Sequence, residues 1–149
     1  MKHEDVARSF VDEITATGSR MFCEDTDEGF TVFSHGHHYA ISRHTEYGFV
    51  FNSDGYSSST SKHKSYVLRA LCGIIIELPG CNEYNANEQL EKDKKEIEQA
   101  KEKLKHVRSD GMLNHWKEII NERNENIENI KKYILPKLAL LKLEERKND

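Results

Sequence analysis

The 149-residue chain reads as an α+β fold: a small antiparallel β-sheet with two short helices, followed by a long antiparallel helical hairpin of coiled-coil type. Three observations predict it. Hydrophobic spacing changes from about 3.6 residues near the N-terminus to two between Arg20 and Asn52. Composition shifts at Pro79-Gly80: residues 1–81 hold seven Lys+Arg against eleven Asp+Glu, six of the eight histidines and all but one glycine. Residues 82–149 hold fifteen basic and fifteen acidic residues and a single Gly, with apolar residues spaced alternately three and four apart. The expected division is therefore an α+β domain over 1–81 and a helical hairpin over 82–149.

Each element has its own signal. Val6, Phe10 and Ile14, with Val11 beside them, make one apolar stripe over about residues 4–17. Glu4 and Asp5 suit the positive end of that helix, and Gly18 is the expected C′ residue. The segments 20–24, 30–34, 39–43 and 48–52 are aromatic or β-branched and separated by short polar turns, which predicts a meander of hairpins. Asn52-Ser53-Asp54-Gly55 closes the sheet with turn chemistry. A second helix is expected over about 61–72, capped by Ser59 or Thr60 and ended by Gly73. The β-branched run at Ile74-Ile75-Ile76 reads as either a buried strand or a continuation of that helix.

In the second half, Leu90, Ile97 and Leu104 repeat every seven, with Ala86, Ala100 and Val107 at the alternate seam positions and Asp93 interrupting. After a link at Ser109-Asp110-Gly111, the returning stripe is Leu113, Trp116, Ile120, Ile127, Ile130, Ile134 and Leu141, interrupted by Arg123. Folding back places Arg123 opposite Glu96 and Glu98, and Arg123→Leu is expected to preserve or raise stability by avoiding a desolvated charge. Pro136 should bend the helix. Beyond it, Leu135, Leu138, Leu140, Leu141 and Leu143 crowd every side, which predicts a homodimer contact that buries them.

Charged residues make up 32% against a norm of about 25%, which fits solvated helices. No run of 18 apolar residues is present, and the acidic N-terminus has no apolar leader core, so no membrane partner is expected. Three cysteines without a Cys-x-x-Cys pair fit a reduced, cytoplasmic compartment. A net charge of −4 argues against broad nucleic-acid binding.

Candidate chemistry is sparse, and no cofactor is expected. No Gly-rich phosphate loop or Gly-x-Ser-x-Gly elbow occurs. His35, His37 and His38, with His44 and His63 elsewhere, offer a weak metal-ligand alternative and hence a His-dependent metalloenzyme; hydrated turn histidines account equally for the pattern. Thiol catalysis is not expected, because Cys23 stands beside Glu24 and Asp25 and Cys72 fits a helix core. Hydroxyls at a helix start followed by Lys62, His63 and Lys64 form an anion-binding candidate, although capping alone explains the Ser/Thr run. Adding Arg43 and Arg69 gives a nucleic-acid-binding alternative.

The residues Asn52, Tyr56, Ser57, Thr60, Ser61, Lys62 and His63 match an Asn-x-x-x-Tyr-Ser-x-x-Thr-Ser-Lys-His pattern that follows a hairpin. In this the chain resembles small accessory proteins of bacteriophages and prophages, over roughly residues 38–71. The resemblance implies a phage origin and transfers no catalytic residue. A small chain with no catalytic constellation, an acidic surface and long helices that offer interaction area leads to the expectation of a non-enzymatic phage protein that binds and inhibits or redirects a host protein in the host cytoplasm, with a defence effector such as a CRISPR nuclease as one target class.

Overall fold

The structure is a computed structural model that describes residues 1–147; Asn148 and Asp149, the last two of the expected hairpin region, lie outside the described residues. It is α+β and divides into two compact units, Met1–Asn82 and Glu83–Asp149.

Helix α1 (His3–Val11) carries Glu4 and Asp5 in its first turn and buries Val6, Ala7 and Phe10. It is shorter than its apolar stripe suggests. Glu13 takes a left-handed conformation (φ 56°), its N–H bonding Phe10 O while that of Ile14 bonds Ser9 O. That double closure satisfies the last carbonyls and ends the helix well before Gly18, leaving Ile14 exposed. Gly18 is needed for a different reason: a Cβ there would sit 2.9 Å from both Met1 O and a Val6 methyl.

Six strands follow: β1 (Ala16–Thr17), β2 (Met21–Thr26), β3 (Gly29–Ser34), β4 (Ala40–His44), β5 (Phe49–Asn52) and, after helix α2 (Ser58–Ala70), β6 (Ile75–Leu78). They lie in sequence order. β2 to β5 pair antiparallel as expected; β1, which falls in the stretch expected to be the end of the first helix, adds a further antiparallel strand, and β6 pairs parallel with β5, from Phe49↔Ile75 to Asn52↔Leu78. The sheet is therefore mixed rather than antiparallel. The ambiguous Ile run is a strand because α2 acts as a crossover, long enough to carry the chain back to the same end of the sheet. Gly48 lies where these two strands begin, and a Cβ there would stand 2.4 Å from Ile74 O.

Helix α2 starts earlier than expected. Ser57, not Ser59 or Thr60, is the N-cap, and its side chain accepts from the Thr60 N–H. One core cluster joins α1 (Val6, Phe10) and α2 (Val67) to Met21, Cys23, Val32, Ile41 and Phe51 of the sheet. The short turn Pro79–Cys81 is tied back to the sheet: Gly80 N–H donates to Asn52 Oδ1 and Arg43 Nη1 to Cys81 O, both at 3.0 Å.

In the second unit, α3 (Ala86–Leu104) and α4 (Asp110–Asn129) form the expected hairpin. The link is 105–109; Ser109 caps α4, and Gly111 belongs to the first turn of α4. Helix α4 runs on through one wide turn, Ile130–Ile134, in which Leu135 N–H donates to Ile130 O five residues back, into α5 (Leu135–Lys147). Pro136 follows directly. It offers no N–H and crowds the preceding turn, and a local widening is how a helix absorbs that without stopping.

The two charged seam interruptions meet each other. Asp93, fully buried, accepts from Arg123 Nη1 at 2.9 Å, Gln89 Nε2 at 2.8 Å and Asn126 Nδ2 at 2.8 Å. Glu96 stands 3.8 Å from Arg123 Nε as a secondary partner, while Glu98 pairs with Lys101. Arg123 is thus the counterion of a buried carboxylate rather than of a surface one, and this reverses the expected outcome of Arg123→Leu.

Candidate functional site

The Ser/Thr-rich start of α2 builds a buried chain of hydroxyls and one imidazole. Ser57 Oγ donates to Thr60 Oγ1 at 3.0 Å, Thr60 Oγ1 lies 3.1 Å from Ser34 Oγ, and Ser34 Oγ lies 2.7 Å from His63 Nδ1. Helical spacing puts Thr60 and His63 one turn apart, both facing the end of β3. The rings of His3 and His35 flank His63, with centroids at 4.4 and 5.3 Å. His3 also reaches Ser19 O at 2.7 Å, and His35, itself left-handed (φ 66°), reaches Ser59 Oγ at 2.9 Å. Burial lowers the pKa of His63 to about 4, with His3, His35 and Arg20 adding to the shift. A neutral imidazole on a serine hydroxyl has the components of a nucleophilic pair. Here Ser34 is fully buried between Thr60 and His63, and the bonds it makes tie α2 to β3.

Two other residues of the Asn-x-x-x-Tyr-Ser-x-x-Thr-Ser-Lys-His run stand outside this chain of hydroxyls. Asn52 donates to Ala40 O at 2.7 Å, and its Oδ1 accepts from the N–H of Asp54 and of Gly80. Tyr56 is exposed and lies against the rings of Tyr39 and His38.

The five predicted binding cations are not brought together. Lys62 is exposed, whereas Lys64, two residues on, points across the helix to Asp54 O (3.1 Å) and lies 5.4 Å from the Phe51 ring, where burial lowers its pKa. His63 is buried against Ser34. Arg69 lies over Tyr66 at 5.0 Å and donates to Ser65 O. Arg43 belongs to the sheet, bonded to Thr31 Oγ1 and Cys81 O and paired with Glu28 at 3.0 Å. Neighbours in sequence on a helix turn about 100° apart, so a run of cations there does not make one patch.

The turn histidines also diverge: His35 to Ser59, His37 to Glu24, His38 to the Tyr56 hydroxyl, and His44 to Phe10 O. Among the described residues no group of three or more His, Cys, Asp or Glu side chains is placed to hold a metal ion. Cys23 and Cys81 are buried and their thiols pushed up by that burial, Cys81 to about 12; Cys72, expected in a helix core, is exposed.

Of the predicted interface leucines, Leu135, Leu138 and Leu141 are half-buried, whereas Leu140 and Leu143 are 62% and 53% exposed. A surface that the sequence reading missed lies between α3 and α4: a groove of about 590 Å³ lined by Glu96, Gln99, Glu102, Lys103, Trp116 and Ile119. The available signal was Ile119, an isoleucine one position off the seam beside Trp116 and Ile120.

No family model, no curated protein and no solved structure matches the chain. No helix among the described residues is long and apolar enough to cross a membrane.

Proposed function

We propose that the chain is a non-enzymatic, phage-type protein that binds a host protein in the host cytoplasm and inhibits it, a CRISPR-type defence effector being the target class, and that it acts as a homodimer. The observation that supports this is in the second unit, which leaves apolar side chains exposed, Leu140 and Leu143 on α5 among them, and only half-covers Trp116 and Ile119 in the α3/α4 groove. Large apolar side chains held on rigid helices are the usual anchors of protein interfaces. A second copy is the occupant proposed for the leucine end, because a two-fold axis lets one patch cover itself. The first unit supports the same reading, since its Ser–His cluster is buried and its cations are spread over different faces.

The test uses the full chain as bait against a bacterial host lysate, beside a Leu140→Glu/Leu143→Glu bait shown by circular dichroism to be folded. Sedimentation should show a dimer for the wild type and a monomer for the double variant, because each added carboxylate would have to be desolvated in the contact. A host protein should be retained in stoichiometric amount by the wild-type bait. A wild type that stays monomeric at high concentration removes the dimer, and a wild-type bait that retains no host protein from any lysate tried removes the inhibitor reading.

A further inference from the structure

We propose that the three imidazoles of His3, His35 and His63, which meet where α1, α2 and the β3–β4 turn (35–39) come together, form an acid-released latch: protonation of His63 parts the start of α2 from that turn while the sheet stays paired. The latch belongs to the first unit and is independent of the partner-binding reading.

The hydroxyl chain at α2 has a direction. Ser57 Oγ donates to Thr60 Oγ1, and in the same sense Thr60 donates to Ser34 and Ser34 to His63 Nδ1. A neutral imidazole offers a lone pair at one ring nitrogen, whereas an imidazolium offers only N–H groups. Protonation of His63 therefore sets two donors against each other across 2.7 Å, at a serine that is fully buried. The backbone beside the cluster favours release as well. His35 and Arg20 are both left-handed, at φ 66° and 62°, and the His35 N–H donates to Arg20 O at 2.7 Å. Residues with a Cβ disfavour that conformation, so parting of the turn relaxes both.

Every charged neighbour that acts on His63 is a cation or becomes one: His3 from α1, His35 from the β3–β4 turn, and Arg20 from the turn into β2. The first two rings lie at 4.4 and 5.3 Å. On β3 and α2 the contacts are the neutral hydroxyls of Ser34 and Thr60. Of the lysines adjoining His63 in sequence, Lys62 is exposed and Lys64 is directed to Asp54 O. Glu4, the acid next to His3, is exposed and lines an open pocket with His3 and Tyr66. Burial first, and these cations second, lower the His63 pKa from 6.5 to about 4. An opening that returns the imidazole to its ordinary value is then favoured about thirtyfold more at pH 5 than at pH 7.5.

Native-state hydrogen exchange on the full chain at pH 7.5 and pH 5, corrected for intrinsic rates, tests the latch. The amides of His35 and of residues 61–64 should lose protection about thirtyfold between the two. At pH 5 they should also be less protected than those of Val32, Ile41 and Phe51 in the sheet core. His63→Gln should leave their protection nearly independent of pH. His3→Gln/His35→Gln keeps the Ser34–His63 bond and removes both flanking imidazoles. In that variant the ring-proton resonance of His63 should titrate above the wild-type midpoint of about 4, and the thirtyfold change should shrink. A wild-type His63 that titrates at its ordinary value, or a midpoint unmoved in the double variant, would overturn the proposal. So would protection at residues 61–64 equal to that of the sheet core at both pH values, which would mean that the first unit opens only as a whole.

Discussion

Replacing Arg123 with leucine should destabilise the helical hairpin, although it puts an apolar residue at a seam position. Asp93 is fully buried, and its carboxylate is held by Gln89, Asn126 and Arg123, of which Arg123 alone is charged. Removing one member of a buried pair typically costs about 3–5 kcal/mol, because the other charge stays buried without its counterion. The Arg123 side chain is 12% exposed, so some water reaches the site and the low end applies. A buried leucine returns about 1–2 kcal/mol. The expected net loss is about 2 kcal/mol. Asp93→Leu/Arg123→Leu should recover that loss or exceed it, since replacing both partners of a buried pair with apolar residues is commonly neutral or stabilising. Burial already raises the Asp93 carboxyl against the hydrogen bonds from Asn126 and Gln89, which means its charged form is held at a cost. Urea unfolding followed by far-ultraviolet circular dichroism on the two single variants and the double variant gives the coupling energy directly. A single Arg123→Leu chain as stable as the wild type, or a coupling near zero, would refute the buried pair.

Three further outcomes follow from the first unit. His63 is depressed from 6.5 to about 4: the unfolded chain binds more protons in that interval, so stability should be full above pH 6.5 and fall as the pH drops toward 4, by about 3 kcal/mol in total. A His63→Gln chain should show a flatter dependence in denaturant titrations across that range. Glu13→Gly should raise the melting temperature, since the left-handed residue that closes α1 costs about 1 kcal/mol when it is not glycine. Gly48→Ala should lose about 2 kcal/mol or more, because its φ of 149° and the nearby Ile74 carbonyl leave no place for a Cβ; a melting temperature equal to that of the wild type would contradict the parallel β5–β6 junction.

Strands β2 to β5 were legible to within two residues, because alternation and short polar turns are local signals. The end of α1 was not: the apolar stripe ran on through Ile14, while a left-handed Glu13, a residue with no special liking for that conformation, closed the helix. Parallel pairing of β6 was invisible for a different reason. Nothing within Ile74-Ile75-Ile76 states which neighbour it finds, and only the strand–helix–strand order hinted at a crossover. Asp93 and Arg123 were each visible as faults in a heptad, yet the register that joins them depends on a link two to six residues earlier than the glycine. The residue types of the Ser57–Lys64 run serve anion binding and capping alike; the structure shows that Ser57 caps α2 and that Thr60 and His63 are buried, details that composition alone does not specify. The α3/α4 groove needs two helices in register before it exists, so no single segment could announce it.

Hydrogen–deuterium exchange on the full chain, free and in complex with the host protein it captures, tests most directly whether contact is made through the helical unit. Exchange should slow on binding in residues 96–120 and 135–147, which carry the groove and the leucine end, while the sheet of the first unit stays unchanged. Slowing confined to residues 16–52, with the helical unit exchanging as in the free chain, would place the contact on the sheet and contradict the proposed mode of binding.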